Sequence, residues 1–313
     1  MQPPPSALTL GSAQFGSEYG VANQSGRPSF ATVCDIIRTA YEGGVDTIDT
    51  AAGYGESEEW IGRALKELGL RDRMRVVTKV AALGSDLTKQ EAAKQIEASV
   101  VRSLKLLGLD KVPLCLFHRE YNIQYTDELL ALRDRGLIDE AGVSLGSPEY
   151  AAKALKLPGL TAWQIASNLL DRRYTHSGLT IAAKKAGVTI FVRSVLLQGL
   201  ILMDDASTPP HLHPVIAPRQ KLRDVAKRFN LSLSELAVRG ITGRPEIASV
   251  VVGVETVAQI KDNNAILAKG PLPAEVLQAL EELQPDLPEN ILNPAEWTKL
   301  KAAYEARLGQ TKA

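Results

Sequence analysis

The sequence predicts an α/β protein with a (β/α)8 TIM barrel, in which eight parallel strands are each followed by a helix. Short apolar segments alternate with amphipathic helical segments along most of the 313 residues. This order is typical of a parallel sheet whose strands are joined by helices. Strand segments such as VVTKV and SVVVGV are almost continuously apolar, as expected where helices cover the sheet. About eight such units favour a closed barrel over the alternative, an open doubly wound sheet.

The predicted elements follow one another in regular order. The strands are expected at Ala7–Phe15, Thr47–Ala51, Arg75–Val80, Val112–Phe117, Glu140–Leu145, Trp163–Leu170, Thr189–Leu197 and Ser249–Val254. The helices are expected at Phe30–Glu42, Ser57–Leu68, Thr88–Leu107, Thr126–Arg135, Pro148–Leu157, Leu179–Ala186, Arg219–Phe229 and Thr256–Ala268. Glycines at the ends of several of these helices, among them Gly108 and Gly136, support the bounds.

We predict one domain over residues 1–313, with two segments that interrupt the alternation. Residues 200–218 contain four prolines and residues 285–313 form a C-terminal tail, so both are expected to be surface loops or flaps. Because the loops after the strands build the active site of such barrels, residues 200–218 are expected to shape a substrate pocket.

Composition excludes several classes of partner. Lys and Arg together number 36, as do Asp and Glu, so nothing predicts binding to nucleic acid or to an anionic membrane. No apolar run is long enough to cross a bilayer, and MQPPPSAL lacks the pattern of a signal peptide. We therefore expect a cytoplasmic protein, a monomer or small homo-oligomer, with Cys34 and Cys115 as buried reduced thiols. His211 and His213 lack further ligands at a suitable spacing, so no metal site is predicted.

Candidate catalytic side chains stand at the carboxyl ends of the predicted strands. Asp49 ends the second strand and Tyr54 follows it, Lys79 ends the third and His118 ends the fourth. A lysine in an apolar strand needs a partner, and Asp49 on the adjacent strand is a plausible counter-ion. A cation beside a phenol stabilises the phenolate, so Tyr54 suits proton transfer, while His118 suits hydrogen bonding to a carbonyl oxygen. Such a set fits carbonyl reduction, and the hydride would come from a nicotinamide cofactor.

Three segments containing these residues resemble the aldo-keto reductase family. The segment from Asp49 to Glu58 reads DTAAGYGESE, the lysine strand reads VVTK and the histidine strand LFHR. The similarity extends from about residue 8 to residue 263, and the opening GSAQFGSEYGVAN is similar to a bacterial subgroup often associated with sugar biosynthesis. The resemblance implies that Tyr54 is the general acid and base, that Lys79 and Asp49 tune it, and that His118 orients the substrate.

The same resemblance implies a set of cofactor contacts. They are Gly11, Ser12, Asp49, Ser144, Gln164, Arg193, Ser194, Leu196, Gly199, Gly253, Glu255, Gln259 and Asn263. Leu145 replaces the family's usual asparagine, and Arg193 replaces the aromatic residue that usually stacks on the nicotinamide. Glu255 stands where many relatives carry a cation for the 2′-phosphate of NADP, which predicts a preference for NADH, or use of both cofactors.

The predicted function is therefore NAD(P)H-dependent, reversible reduction of a small-molecule aldehyde or ketone. Ala81 and Ala82 stand where relatives often place aromatic residues, which favours a polar substrate such as a sugar. Arg119 and Arg193 are candidates for binding its hydroxyls or an anionic group. Two alternatives remain at this point: a cofactor-binding regulatory or redox-sensing module on the same fold, and a lyase that uses Lys79 as a Schiff-base nucleophile.

Overall fold

Eight parallel strands form a closed barrel in the computed structural model, which describes residues 4–23 and 25–310. The strands are β1 (Leu8–Gly11), β2 (Thr47–Asp49), β3 (Arg75–Val80), β4 (Val112–Phe117), β5 (Ile138–Leu145), β6 (Leu160–Ala166), β7 (Thr189–Arg193) and β8 (Ser249–Gly253). Each strand pairs with the next, and β8 pairs with β1 to close the ring. The predicted fold class is confirmed.

Helices cover the outside of the barrel. The longer ones are Phe30–Glu42, Ser57–Glu67, Lys89–Leu107, Thr126–Asp134, Pro148–Ala154, Leu179–Lys185, Ile216–Arg228, Leu233–Thr242, Val257–Ala268, Ala274–Glu282 and Trp297–Gln310. Short helices of four residues lie at Ala13–Gly16, Arg173–His176 and Glu289–Leu292. Several helices begin at a capping box, as where Thr88 accepts from the Glu91 amide while the Glu91 side chain accepts from Thr88.

Some predicted bounds were wrong. Strand β1 ends at Gly11, because Ser12 begins a helical turn that buries Phe15. The predicted strand Trp163–Leu170 instead runs from Leu160 to Ala166 and ends before a turn in which Asn168 accepts from the Leu170 amide. Strand β7 ends at Arg193, because Ser194 adopts a positive φ of 64°. The helix Leu233–Thr242 was not predicted.

The two segments that interrupt the alternation are partly structured. Residues 200–218 contain 3-10 turns at Asp205–Ser207 and Pro210–Val215, and they bury Leu200 and Leu212. The tail contains the helix Trp297–Gln310. Both segments therefore contribute to packing as well as to the surface. No helix in the described ranges has the length and apolar character needed to span a membrane. The cysteines at 34 and 115 are buried and unpaired, as predicted.

Alternation along the strands places polar residues above an apolar interior. Inside the barrel, Val77, Leu114, Leu116, Ala162 and Phe191 pack together with Val251. Since side chains two positions apart in a strand point to the same face, the next inward positions lie at the carboxyl-end mouth of the barrel. Those positions are Lys79, His118, Gln164, Arg193 and Gly253. The two-residue alternation of side chains along each strand therefore brings the predicted site residues together.

Candidate active site

Asp49 and Lys79 form a buried ion pair at the mouth of the barrel. Lys79 Nζ lies 2.8 Å from both Asp49 Oδ1 and Asp49 Oδ2. It donates a further hydrogen bond of 2.8 Å to the Thr50 carbonyl oxygen. Gln164 Nε2, on β6, donates to Asp49 Oδ1 at 2.6 Å. The counter-ion expected from the sequence is therefore in contact with Lys79, and Gln164 orients its carboxylate.

Lys79 stays protonated in this setting. Burial acts to lower its pKa, but the charges of Asp49 and Tyr54 and the hydrogen bond to Asp49 outweigh burial, so the net direction is upward. A lysine that forms a Schiff base needs a free amine and therefore a depressed pKa. The raised pKa of Lys79 and its three hydrogen bonds argue against the lyase alternative.

Tyr54 lies in the turn after β2, between Lys79 and His118. Lys79 Nζ is 5.0 Å from the centroid of the Tyr54 ring. The rings of Tyr54 and His118 meet edge to face, with their centroids 5.6 Å apart. The turn is held by hydrogen bonds of 3.0 Å from the Tyr54 amide to the Ala51 carbonyl and from the Ser57 amide to the Tyr54 carbonyl. All four residues predicted to act in catalysis thus meet at one end of the barrel.

His118 is a neutral imidazole at working pH. Burial, followed by the positive charges of Lys79, Arg119 and Arg193, lowers its pKa from 6.5 to about 3. A neutral imidazole has one N–H donor and one acceptor nitrogen. His118 can therefore hydrogen-bond a substrate oxygen without carrying a charge.

The lowered pKa of His118 predicts a pH dependence of stability. Between pH 6.5 and about 3, the unfolded chain protonates this residue and the folded chain does not, so the free energy of unfolding decreases as the pH falls. We expect the free energy of unfolding of His118→Gln to decrease less. The difference between the two proteins should be at most about 1.4 kcal/mol per pH unit, and smaller where solvent screens the site. Urea unfolding of both proteins at near-neutral and mildly acidic pH measures the difference. Equal losses in the two proteins would contradict this account.

A long cleft begins at Tyr54 and His118 and crosses the mouth of the barrel to the start of the helix Val257–Ala268. Its volume is about 820 Å³, within the range of small-molecule and cofactor sites. All thirteen residues predicted to contact the cofactor, from Gly11 to Asn263, line this cleft. The sequence prediction and the cleft therefore coincide in position.

Two of the predicted contacts have side chains already engaged by the protein. Ser12 Oγ donates to the Asp49 carbonyl oxygen at 2.8 Å and accepts from Ser57 Oγ at 2.8 Å. Gln259 Oε1 accepts from the Glu255 amide at 2.7 Å and the Thr256 amide at 3.1 Å. Both side chains therefore shape the cleft wall, and neither is a free partner for a ligand.

Ser144 and Gln164 are neighbours in the β5–β6 register and both line the cleft. Leu145, in place of the family's usual asparagine, is fully buried in the apolar layer between sheet and helices. It cannot hydrogen-bond a carboxamide. Because the Gln164 amide nitrogen donates to Asp49, the Gln164 oxygen is the part of that side chain left for a ligand.

The loop after β7 has an unusual backbone. Ser194, Leu197 and Gln198 have φ values of 64°, 49° and 53°, and Gly199 has 85°. Strain of this kind collects at ligand sites. The amides of Leu197, Gly199 and Leu200 donate to carbonyl oxygens of the loop itself. Ser194, Leu196 and Gly199, which are predicted to contact the cofactor, line the cleft.

The far end of the cleft carries a fixed carboxylate. Glu255 Oε2 accepts from Gln259 Nε2 at 2.8 Å, and Glu255 Oε1 accepts from Gln14 Nε2 at 3.4 Å. Gln14 Oε1 is buried and has no hydrogen-bond partner among the described residues. An unpaired buried acceptor beside a carboxylate fits a ligand that brings hydroxyl donors, such as a ribose. Residues at this end thus fit a ligand that carries hydroxyl groups.

Several cleft residues were missed by sequence reasoning. Gln14 and Tyr19 line the cleft from the segment after β1, and Gln198 from the loop after β7. Gln198 Nε2 donates to the Tyr19 hydroxyl at 3.0 Å, which joins the two loops across the cleft. Residues Asn293–Ala295 of the tail also contribute to the wall. Tyr19 lies in the segment singled out by resemblance, but irregular loops have no period that would indicate which side chains face inward.

Comparison with known proteins agrees with this geometry. The sequence model of the aldo/keto reductase family matches residues 7–285. The chain belongs to the aldo/keto reductase family. It is therefore an oxidoreductase that acts on carbonyl and alcohol groups with NAD(P). The resemblance inferred from the three motifs is confirmed.

Individual proteins of the family have low sequence identity to this chain. The chain is 29% identical to the aldo-keto reductase YhdN of Bacillus subtilis over 255 residues, which cover 74% of this chain and 77% of that protein. It is 26% identical to an NADH-specific methylglyoxal reductase of Escherichia coli, over 79% of this chain and 88% of that one. The structure of an aldo-keto reductase from Bacillus halodurans in its holo form superposes with a TM-score of 0.74 at 22% identity, covering 92% and 96% of the two chains. At that identity the superposition supports the fold alone.

Proposed function

We propose that this aldo/keto reductase reduces a polar aldehyde or ketone with a preference for NADH, and that Tyr54 donates the proton. The observation that carries the proposal is the position of Tyr54 between the Lys79–Asp49 ion pair and the neutral His118. The nicotinamide, when bound, supplies the hydride to the carbonyl carbon. His118 donates a hydrogen bond to the carbonyl oxygen, and Tyr54 gives its hydroxyl proton to that oxygen. Lys79 stabilises the phenolate that remains until solvent returns a proton.

The primary test is an absorbance assay of NADH and NADPH oxidation over a panel of sugars and simple aldehydes. We expect turnover of at least one polar carbonyl, faster with NADH. If both cofactors bind but no carbonyl is reduced, the proposal fails and the regulatory or redox-sensing module is favoured instead.

The preference for NADH rests on the charge at the far end of the cleft. Glu255 and Asp262 line this end, and carboxylates repel the 2′-phosphate of NADPH while they can accept hydrogen bonds from a ribose diol. Titration of the protein with the two cofactors, followed by fluorescence, should show tighter binding of NADH. A Kd for NADPH about tenfold below that for NADH, or 1.4 kcal/mol in its favour, would contradict the preference.

The variant Glu255→Lys tests whether Glu255 is responsible for the preference for NADH. We expect the ratio of the NADPH and NADH dissociation constants to shift toward NADPH by about tenfold or more, because a repulsive charge becomes an attractive one. Glu149→Lys makes the same change of charge on an exposed helix outside the cleft and should leave the ratio as it is. Equal ratios in the two variants would mean that Glu255 faces solvent when the cofactor is bound.

The position of Tyr54 depends on close contact with Gly16. A Cβ atom on Gly16 would lie 1.7 Å from the Tyr54 carbonyl oxygen, so Gly16→Ala must displace the Tyr54 turn. We expect a loss of about 1–3 kcal/mol in the free energy of unfolding and a fall in kcat of about 100-fold from misplacement of the proton donor. Gly84→Ala is the control, because the nearest atom to a Cβ there is 3.7 Å away. Denaturant unfolding and steady-state kinetics measure both effects, and wild-type behaviour of Gly16→Ala would contradict them.

A further inference from the structure

Two arginines at the catalytic end of the cleft have no carboxylate partner. Arg119 follows His118, Arg193 ends β7, and both line the cleft beside Tyr54. Within residues 4–23 and 25–310 neither forms an ion pair, and Arg193 makes one long hydrogen bond, of 3.4 Å, to Ser194 Oγ. Arg119 is exposed and Arg193 is half-buried. Three other buried or half-buried arginines are paired: Arg172 with Glu281, Arg173 with Asp171 and Arg219 with Asp205.

Tyr19 adds a third donor at the same place. Its hydroxyl oxygen accepts from Gln198 Nε2 at 3.0 Å, so the hydroxyl hydrogen remains available to donate. Tyr19 lines the same cleft as Arg119 and Arg193. Tyr54 and Arg193 lie close enough to act electrostatically on Tyr19, so Tyr19, Tyr54 and Arg193 are at one end of the cleft. Tyr19 and the two arginines therefore present hydrogen-bond donors to whatever lies between them.

The cleft is electrically polarised along its length. At the catalytic end the charges of Lys79 and Asp49 compensate each other, which leaves the two arginines as uncompensated positive charge. Besides burial and the charge of Lys79, both arginines act on His118 to lower its pKa. At the far end the charged lining residues are Glu255 and Asp262. The catalytic end therefore favours an anionic group more than the far end does.

We propose that the substrate carries an anionic group, a carboxylate or a phosphate, and that Arg119 and Arg193 bind this group while Tyr54 and His118 hold the carbonyl oxygen. A guanidinium matches the oxygens of either anion with two parallel hydrogen bonds. A neutral carbonyl compound would displace water from the two arginines without replacing its hydrogen bonds, which is unfavourable. This inference rests on the proposed function, because it concerns the substrate of the same site.

Matched substrates test the inference. Succinic semialdehyde and butyraldehyde differ in a carboxylate, and glyceraldehyde 3-phosphate and glyceraldehyde differ in a phosphate. We expect kcat/KM with NADH to be about 10- to 100-fold higher for the anionic member of one pair, the range for a hydrogen-bonded charge. The pair that shows the preference identifies the anion. Equal values within both pairs would overturn the inference and leave the proposed function intact.

Variants assign the preference to the arginines. Arg119→Gln should reduce the anionic-to-neutral ratio of kcat/KM by about tenfold, whereas Arg119→Lys should retain part of it, because it keeps the charge and loses the two parallel hydrogen bonds. Arg193→Gln should also reduce the ratio, and its NADH dissociation constant is measured alongside because Arg193 is also a predicted cofactor contact. Arg135→Gln is the matched control, since Arg135 is exposed, paired with Glu97 and outside the cleft. An unchanged ratio in both Arg119→Gln and Arg193→Gln would refute the assignment.

A binding measurement keeps the two proposals separate. Titration calorimetry of the NAD⁺-loaded protein with succinate and with methyl phosphate, neither of which has a hydroxyl group to oxidise, requires no turnover. We expect at least one of them to bind, and to bind about tenfold more weakly to Arg119→Gln. Absence of binding by either anion counts against the inference, while absence of turnover with every carbonyl counts against the proposed function.

Discussion

Tyr54→Phe is expected to lower kcat by about three orders of magnitude, within the range for loss of a general acid. The ring would keep its edge-to-face contact with His118 and its place above Lys79 Nζ, so the substitution removes only the hydroxyl that carries the proton. Binding of NADH should remain within about twofold of the wild type, or 0.4 kcal/mol. Steady-state kinetics and a fluorescence titration give the two values.

The control for Tyr54→Phe is the other phenol of the cleft. Tyr19→Phe removes a hydroxyl that bonds to Gln198 and leaves Tyr54 beside Lys79. We expect it to affect KM more than kcat, since Tyr19 is placed to bind the substrate and not to protonate it. If Tyr54→Phe retained wild-type kcat, the proton would come from another group. Borohydride trapping of a substrate on Lys79 would then point to the lyase.

Lys79→Met is expected to lower the free energy of unfolding by about 3–5 kcal/mol and to abolish most activity. The substitution leaves the Asp49 carboxylate buried, with only Gln164 Nε2 as a side-chain donor. Because the pKa of Lys79 is raised above 10.5, the contribution of the ion pair is fully present below pH 10.5 and is lost as the pH rises through the higher folded value. Measurements at neutral pH therefore capture the whole effect.

The double variant Lys79→Met/Asp49→Asn separates stability from catalysis. Removing both charges should restore most of the lost stability, because a neutral amide costs less to bury than an unpaired carboxylate. Activity should stay low, since no cation remains beside the Tyr54 ring to stabilise the phenolate. Urea unfolding and kinetics of Lys79→Met, Asp49→Asn and the double variant complete the cycle. Recovery of activity in the double variant would show that Lys79 acts only by balancing charge.

The barrel was predictable because its strands repeat a local pattern. Apolar strand segments alternate with helical ones, and Asp49, Lys79 and His118 stand at or just after the carboxyl ends of three predicted strands, so the sequence predicted that they would meet at one mouth. The helix Leu233–Thr242 escaped prediction, because it falls between two units of the repeat. The end of β1 was placed too late, because the apolar Phe15 shortly after Leu8–Gly11 reads as a continuing strand until the turn at Ser12 is seen.

The cofactor side was less predictable for a different reason. Resemblance predicted that Glu255 and Gln259 contact the cofactor. It did not indicate that Gln259 caps the following helix and donates a hydrogen bond to the Glu255 carboxylate. Nor did it indicate that Gln14, some 240 residues away in the chain, donates to the same carboxylate. These contacts join loops that have no periodic pattern. Which of their side chains meet is decided by packing across the barrel mouth.

The sequence by itself determined the order of strands and helices, the end of the barrel at which the polar residues collect, and the family to which the chain belongs. These follow from local periodicity and from motifs whose spacing is set along the chain. Only the tertiary structure decided that Lys79 has three hydrogen-bond acceptors, while Arg119 and Arg193 have no carboxylate partner among the residues that the structure describes. The physical reason is that pairing of charges depends on distances between segments that are remote in sequence, and closure of the barrel sets those distances.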